Sequence, residues 1–406
     1  MTKMLDDWPR LPIMIAVDYL KLNDDGISQA GNIIAVLDSE HHDRVCEIKL
    51  FNVAHPLLEK IAVAMKKPFP GLTHLSIGTG VGARVPVIPD SFLGGSAQHL
   101  RSLLLDHIPI PALPKLLSSA NNLVTLEISD TSQSYSGYLS PEAMATGLAA
   151  MARLEKFELT FLSTRSRPDP ESRRPPPSTR SILPALTQLE YQGGHEYFED
   201  VIAWVEAPFL RKARIIFFGG VDSDVPQLHR FISCAEELRK LDYATVEFWK
   251  FAAIITLTLQ TTSINHTELM LQVGGRQWTD ELVPSMIRVC RSSLLPFSSL
   301  DRLDVKDDSY YFSLEALTDS AEWLEFLELF ISVKTLYLSE VIVKCLERAL
   351  YGLSPERVAE VLPTLENVFL WRVEPSGPLQ RVIGRFATAR ELSGNPVAVH
   401  NLVDDY

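Results

Sequence analysis

The sequence predicts an α/β fold made of stacked strand–helix repeats. Three features indicate it: a recurring apolar spacing, turn-forming residues ahead of the copies, and helix starts between them. The spacing is clearest at Leu100, Leu103 and Leu105, and a helical segment follows at 113–119. Alternating apolar residues are typical of a strand with one buried face. Because one strand and one short helix cannot bury their apolar surface alone, the unit is stable only when it stacks on further copies.

The same spacing recurs at irregular intervals of about 23–34 residues, the length of one strand–helix repeat. A weaker copy at Leu269 and Leu271 fills the longest gap. We interpret the series as a leucine-rich-repeat-like solenoid, with a curved parallel sheet and helices on its convex side. The alternative is a doubly wound α/β domain, which also alternates strands and helices. The copies begin at Val45, Leu72, Leu100, Leu123, Leu154, Leu186, Leu210, Leu238, Leu300, Val333 and Leu365.

Helix starts and turns fall between the copies. The pairs Ser140–Pro141 and Ser354–Pro355 each place a capping hydroxyl before a proline at the first helical position. Pro, Gly and Asn precede several strands, as in the segment FPGLTHLSI that begins at Phe69. Since these residues end helices and form turns, the order helix, turn, strand is predicted throughout.

The domain plan follows from the repeats. Residues 1–30 are predicted as an N-terminal remnant with a first strand, and the apolar run Ile13–Val17 suits a buried strand. The solenoid is predicted over 31–394. It ends in a capping helix at 378–393, because a terminal repeat needs a cover, and residues 395–406 form a tail.

One segment interrupts the repeats. Residues 163–181 contain five arginines, five prolines and no large apolar side chain. Such a segment cannot bury enough surface to offset its ordering entropy, so it is predicted as a disordered loop. The run Pro175–Pro177 could present a polyproline helix to a partner, although a tolerated insertion without a ligand is the simpler interpretation.

Charge and cysteine content exclude several classes of function. The net charge of −13 argues against a nucleic-acid binder, because neutralising phosphates needs a surplus of Lys and Arg. It also disfavours adhesion to an anionic membrane, and no apolar run reaches the roughly 18 residues of a membrane span. Widely spaced cysteines without a C-x-x-C pair predict reduced thiols in a cytoplasmic or nuclear protein. They are Cys46, Cys234, Cys290 and Cys345.

No catalytic, cofactor-binding or metal site is predicted. The glycines of 78–82 are similar to a nucleotide-binding turn, but Pro86 and Pro89 oppose the helix that must follow. The segment His41–Asp43 and the nearby Cys46 could be metal ligands, yet adjacent side chains in a turn point apart, and a solvated turn is favoured. The chain is therefore predicted not to be an enzyme.

Several longer segments are similar in sequence to one protein family. They are DDWPRLPIMI, NIIAVLDSEHHDRVCEIKLFNV, PFPGLTHLSI, VIPDSFLGGSAQHLRSLLLDHIPIPALPKLLSSANNLVTLEI, GYLSPEAM, LSTRSRPDPESRRPPPSTRSILPALT, VLPTLENVFL and ARELSGNPVAVH. Over nearly its whole length the chain resembles the leucine-rich-repeat region of F-box proteins of mushroom-forming (basidiomycete) fungi, and these segments carry the resemblance. The resemblance implies a substrate receptor of a cullin-type ubiquitin ligase. In that family an F-box helix bundle precedes this region. No F-box helices are recognised ahead of Trp8, so binding of the ligase adaptor is expected only if an F-box is supplied.

Side chains that flank the buried positions of each strand are predicted to line the concave face, the usual binding surface of such arrays. Mixed charge there favours a protein partner or a degradation substrate over a lipid or a nucleic acid. The predicted protein-binding residues are Ser102, Leu104, Asp106, Thr125, Glu127, Ser129, Lys156, Glu158, Gln188, Glu190, Arg302, Asp304, Tyr337, Phe369 and Trp371. The three aromatic residues are either exposed interface anchors or packed under the C-terminal helix.

Function is therefore predicted as non-enzymatic protein binding, in a substrate-recognition protein of F-box ancestry. The alternatives are an α/β enzyme whose site carries no recognisable motif and a truncated, nonfunctional fragment.

Overall fold

The computed structural model describes eleven segments of the chain. They are residues 11–79, 88–108, 113–130, 139–161, 179–259, 267–274, 282–292, 299–307, 320–351, 353–374 and 377–402. Two compact units are present, Met1–Phe209 (unit 1) and Leu210–Tyr406 (unit 2).

Within the described residues of unit 1, seven strands form one sheet in chain order, and every neighbouring pair is parallel. Two further short strands, β7 and β9, pair only with each other. The strands are β1 (Ile13–Val17), β2 (Val45–Leu50), β3 (His74–Gly78), β4 (Ser102–Asp106), β5 (Thr125–Asp130), β6 (Lys156–Phe161), β7 (Ser181–Ile182), β8 (Gln188–Gly193) and β9 (Val205–Glu206).

The helices of unit 1 pack on one face of this sheet. Along each inner strand, buried and half-exposed side chains alternate, and the helices cover the buried set. The Phe198 ring, for example, stacks on buried Tyr191 of β8 at 4.4 Å between centroids. The helices are α1 (Asp24–Asp38), α2 (His55–Ala64), α3 (Leu113–Ser118), α4 (Pro141–Ala149) and α5 (His195–Ile202), with 3-10 turns at Glu40–Arg44 and Phe92–Gly95. The sheet face opposite the helices is called the open face in both units.

Eight strands form the sheet in the described part of unit 2. They are β10 (Lys212–Phe217), β11 (Tyr243–Trp249), β12 (Ala252–Thr258), β13 (Glu268–Gly274), β14 (Arg302–Asp307), β15 (Thr335–Ser339), β16 (Asn367–Trp371) and β17 (Ala398–Leu402). Their order is β10, β13, β12, β11, β14, β15, β16, β17. Strand β12 is antiparallel to both its neighbours, and the other pairs are parallel.

Unit 2 also keeps its helices on one face. Trp323 and Phe326 lie edge-on to the buried ring of Phe248 in β11, with centroids 5.2 and 6.2 Å away. The helices are α6 (Pro226–Cys234), α7 (Leu282–Ser292), α8 (Ser320–Leu327), α9 (Glu340–Tyr351), α10 (Pro355–Glu360) and α11 (Pro378–Leu392), with a 3-10 turn at Leu238–Lys240. Among the helices that the structure describes, none is long and apolar enough to cross a membrane.

These features confirm the predicted fold class, α/β with a leucine-rich-repeat-like architecture. Ten of the eleven predicted copies supply a buried leading residue and two buried strand residues, as at Leu123, Leu126 and Ile128. The doubly wound alternative requires helices on both faces of the sheet. Here the helices pack on one face, and the strands of unit 1 follow chain order.

The copy at Leu238 was placed wrongly by three residues. Leu238 opens a 3-10 turn rather than the strand entry, so the buried series is Leu241, Ala244 and Val246. Counted from Leu238, the repeat spacing would put Tyr243 in the core, whereas Tyr243 occupies a half-exposed position of β11.

The weaker copy at Leu269 and Leu271 is a strand, β13, but it does not lie between β11 and β14 as chain order predicted. A meander of β11, β12 and β13 reverses the local order, so β13 pairs with β10 and β11 pairs with β14. The two-residue loop Lys250–Phe251 turns β11 into β12. Gly274 ends β13 at φ +118°, where a Cβ atom would lie 2.3 Å from the Phe251 carbonyl oxygen. A glycine is required at this close approach.

Some predicted boundaries differ from the observed elements. The strand at Ile13–Val17 is present but not buried. Met14, in register with Glu47 on the open face, is 64% exposed. Ile15 and Val17 on the helix side are only half-buried, because β1 is paired only with β2 in the described part. The 30/31 boundary falls inside α1, and the segment 395–406 contains β17. The predicted capping helix corresponds to α11, which packs on α9, α10 and β17. Of the predicted Arg/Pro loop, 163–178 lie outside the described residues, and Ser181 belongs to β7.

A buried arginine holds the last turns of unit 2. Arg390 of α11 is fully buried, and its guanidinium donates to four main-chain carbonyls at 3.0–3.4 Å. Burial lowers the pKa of Arg390 from its ordinary value. The carbonyls satisfied in this way lie where α10 ends and the chain turns into β16, so one cation on α11 fixes the neighbouring repeat. They belong to Val358, Val361, Pro363 and Leu365.

We predict that Arg390→Met lowers the free energy of unfolding of unit 2 by about 3 kcal/mol, because buried carbonyls lose their donors. Urea denaturation of the full chain measures this, with Arg381→Met on the exposed side of α11 as the control. Equal stability of the two variants would contradict the role given to Arg390.

Candidate functional site

The open face of unit 1 brings together all ten of its predicted binding residues. Parallel register aligns them in rows across β4, β5, β6 and β8. The first row is Ser102, Thr125, Lys156 and Gln188, the second is Leu104, Glu127, Glu158 and Glu190, and the third contains Asp106 and Ser129. Each of these side chains is half-exposed or exposed, as the alternation along a one-sided strand requires.

Carboxylates dominate the second row. Lys156 Nζ lies 2.7 Å from Glu127 Oε1 and 3.2 Å from Glu158 Oε2, so one cation links two carboxylates. Burial acts to lower the pKa of Lys156, but hydrogen bonds to Glu127 and Glu158 outweigh it and raise that pKa. Glu190 follows next in the row and has no ion pair among the described residues. The row therefore presents excess negative charge.

The open face of unit 2 carries a stack of planar groups, here called the ladder. It consists of Tyr243, Arg302, Tyr337, Phe369 and His400, one from each of five neighbouring strands. The Tyr337 and Phe369 rings stack at 4.6 Å between centroids and 11° between planes. The Phe369 and His400 rings repeat this at 4.6 Å and 18°. The Arg302 guanidinium lies 4.0 Å from the centroid of Tyr337 and 4.8 Å from that of Tyr243.

Strand spacing explains the stack of Tyr337, Phe369 and His400, which share one register row, and the pairing of Arg302 with Tyr243 in another row. Arg302 reaches Tyr337 from two residues out of register. Neighbouring strands lie about 4.8 Å apart, which is close to the separation that stacked rings prefer. Rings at equivalent positions of parallel strands can therefore stack without leaving their rotamers. Each such pair contributes about 0.5–1.5 kcal/mol beyond the area it buries, so the ladder is held rigidly before any partner arrives.

Asp304 fixes the arginine of the ladder. Arg302 donates two hydrogen bonds to the Asp304 carboxylate, at 3.0 Å from Nε and 2.9 Å from Nη2. The Tyr243 hydroxyl donates to the same carboxylate at 2.8 Å. The hydrogen bonds to Asp304 raise the pKa of Arg302, while burial and the bond to Asp304 raise the pKa of Tyr243. Asp304 thus holds the guanidinium close to both tyrosine rings.

Two tryptophans extend the platform beyond the ladder. Trp371, in register with Ser339, is 42% exposed, and Trp249 at the end of β11 is equally exposed. Trp249 Nε1 donates to Glu247, which also accepts from Lys306 Nζ at 2.8 Å. Across β11 and β14 to β17, the open face has two cations and two carboxylates, with Arg302 paired to Asp304 and Lys306 paired to Glu247. This part of the face is aromatic and electrically neutral.

The structure places the other five predicted binding residues on this face. Arg302, Asp304, Tyr337 and Phe369 are half-exposed, and Trp371 is exposed. The aromatic residues do not pack under α11, whose buried side chains include Val382, Ile383 and Phe386 on the other side of the sheet. Tyr337 and Phe369 instead alternate with buried Leu336, Leu338, Val368 and Leu370.

Sequence reasoning missed Tyr243, Trp249 and His400. Tyr243 was lost with the misplaced frame at Leu238, although the alternation in YATVEFW contains the signal. His400 lies in the segment predicted as a tail, where AVHNL is a short strand-like run after Pro396. The contribution of Trp249 depends on the meander, which no local pattern in the sequence indicates.

The turn at Glu40–Arg44 and the start of the glycine turn at 78–82 make local contacts where the structure describes them. His42 of the Glu40–Arg44 turn has Nδ1 2.9 Å from the Ser39 carbonyl oxygen, and its ring meets Phe69 edge-on. In the glycine turn at 78–82, Thr79 donates to the His107 carbonyl, and residues 80–82 lie outside the described part.

The sequence matches no protein-family model, and no curated protein matches it. Among solved structures it is similar to the leucine-rich repeat-containing protein LegL7 of Legionella pneumophila, with 12% identity and a TM-score of 0.29 over 94% of this chain and 98% of that one. A TM-score this low does not establish a common fold. The architecture given above therefore rests on the strand order and register of the chain itself.

Proposed function

We propose that the chain is a non-enzymatic protein-binding module and that a partner binds over the ladder and Trp371 on the open face of unit 2. The observation that supports it is a stack of three rings, extended by a guanidinium and a fourth ring, beside a 42% exposed tryptophan. Exposed aromatic residues in a rigid frame are typical interface hot spots, because they offer large contact area and lose little conformational entropy on binding.

Charge indicates what kind of segment fits. The open face of β11 and β14 to β17 has no net charge, since its two cations and two carboxylates are paired. A nucleic acid would need unpaired cations on the surface that it contacts. An uncharged segment with apolar or aromatic side chains can cover the rings without leaving a buried charge unpaired.

We predict that Trp371→Ala weakens partner binding by about 2 kcal/mol or more, roughly 30-fold in Kd, because the exposed tryptophan beside the ladder is lost. Tagged wild-type and variant chains are used as baits in extract of the source organism, and recovered proteins are quantified by mass spectrometry. The matched control is Ile331→Ala, an apolar side chain of unit 2 that is 54% exposed in the turn before β15. Equal recovery by wild type and Trp371→Ala would contradict the site.

A finer proposal is that this partner is a degradation substrate and that the chain acts as its receptor in a cullin-type ubiquitin ligase, in the cytoplasm or nucleus. It is supported by the resemblance of long sequence segments to fungal F-box proteins. The ligase adaptor would then join through an F-box, either in the same polypeptide or in a companion subunit.

This finer proposal predicts two classes of protein in the same pull-down. The adaptor and cullin should be recovered equally by wild type and Trp371→Ala, while the substrate should be lost with the variant, because the two contacts use different surfaces. Recovery of a Trp371-dependent partner without adaptor or cullin would contradict the ligase role and leave the binding module intact.

A further inference from the structure

The outer edge of β17, the last strand of the sheet in unit 2, presents unpaired backbone groups. In the described part of unit 2, β17 pairs with β16 on one side and with no strand on the other. The Ala398 amide donates to the Glu366 carbonyl at 2.9 Å, towards β16. Successive residues of a strand turn their backbone groups to opposite sides, so Val399 and Asn401 direct theirs outward. An extended segment can pair with such groups.

The buried apolar layer also runs out at this edge. Leu303, Leu336 and Val368 occupy one register row and are buried, whereas Val399, the next member of the row, is only half-buried. Leu392, at the end of the adjoining helix α11, is 80% exposed. One more strand would cover Val399 and Leu392, as neighbouring strands cover the apolar residues of the interior rows.

Asn401 supplies an independent sign that the edge is incomplete. Its Oδ1 atom is buried and has no hydrogen-bond partner in the described structure. A buried acceptor without a donor is unfavourable, because it has lost its hydrogen bonds to water. Asn401 is also one of the two residues whose backbone groups face the unpaired edge.

The ladder specifies what the incoming segment must contain. His400 is its last rung, with one ring face against Phe369 at 4.6 Å. The other face points towards the unpaired edge. A segment in register would place one side chain there at the strand spacing, and a planar group would continue the stack.

The edge lacks the devices that keep strands from pairing with other chains. Natural edge strands are commonly protected by lysine, proline or a bulge. The residues of β17, AVHNL, include no lysine and no proline, and they pair with β16 residue for residue.

We propose that the β17 edge binds an extended segment of a partner protein by strand addition. The segment places a planar side chain, aromatic or arginine, in register with His400, and an apolar residue beside Val399. This site shares His400 with the open-face site but uses neither Trp371 nor the rest of the ladder, so either proposal can fail alone.

The test uses a capped, fluorescently labelled peptide, Lys-Thr-Val-Phe-Val-Thr-Lys, and a matched peptide with Ser in place of Phe. Fluorescence anisotropy with the full chain measures both affinities. We expect the Phe peptide to bind about 2–10-fold more tightly than the Ser peptide, the ratio that one stacked pair supplies. No saturable binding of the Phe peptide at millimolar concentration would overturn the proposal.

Variants of the chain separate the contribution of backbone pairing from the contribution of the His400 ring. Val399→Pro removes one outward amide and should abolish binding, whereas Val399→Ala keeps that amide and should retain it. His400→Ala should weaken the Phe peptide and leave the Ser peptide unchanged, which a general loss of folding would not do. Trp371→Ala should leave both affinities unchanged.

Two further outcomes would overturn the proposal. One is equal binding by wild type and Val399→Pro. The other is sedimentation of the wild-type chain as a dimer that Val399→Pro dissociates, since the edge would then be occupied by a second copy of this chain.

Discussion

Parallel strands paired in register place equivalent side chains about 4.8 Å apart, and both units depend on that spacing. On the helix side it aligns Leu, Ile, Val and Phe into continuous buried rows, so each repeat completes the core of its neighbours. On the open face the same spacing places side chains of the same type next to one another. In unit 1 it lines up Glu127, Glu158 and Glu190, a repulsive arrangement that Lys156 relieves for two of them. In unit 2 it lines up flat rings, which attract.

The open faces of the two units therefore differ in charge. Across the open face of β2 to β8, five carboxylates meet two lysines, Lys49 and Lys156, so unit 1 is acidic there. Most of the open face in unit 2 is neutral, because Arg302 and Lys306 are each matched by a carboxylate on their own or a neighbouring strand. The formal charge of −13 is an average that conceals this difference. Specificity in such a chain depends on where charges are paired rather than on their sum.

Much of the fold could be predicted because its information is local. A buried residue followed by two more at fixed offsets marks a strand entry, and ten copies such as Leu72 and Leu365 obey it. The copy at Leu238 failed because a 3-10 turn displaced the frame while nearby apolar residues still matched the pattern. The meander could not be predicted, since strand order depends on pairing between segments and not on their periodicity.

The site was predictable in part for the same reason. Alternation placed Tyr337, Phe369 and Trp371 on one strand face but could not decide between exposure and burial under a helix. That choice depends on which side the helices occupy, which is set by packing in three dimensions. The bond from Tyr243 to Asp304 joins residues 61 positions apart, and the sequence gives no sign of it. Buried Arg390 was unforeseen as well, because its partners are main-chain carbonyls that leave no mark in the sequence.

The meander preserves the direction of the later strands because it contains an even number of reversals. Between β11 and β13 the chain reverses twice, so it leaves β13 running in the direction in which it entered β11. A single extra strand would invert every later repeat and exchange the ends of all the strands that follow. Two extra strands restore the direction, and β14 resumes parallel to β11 with the ladder unbroken. A sheet of parallel repeats can therefore accommodate extra antiparallel strands, inserted without helices, only in pairs.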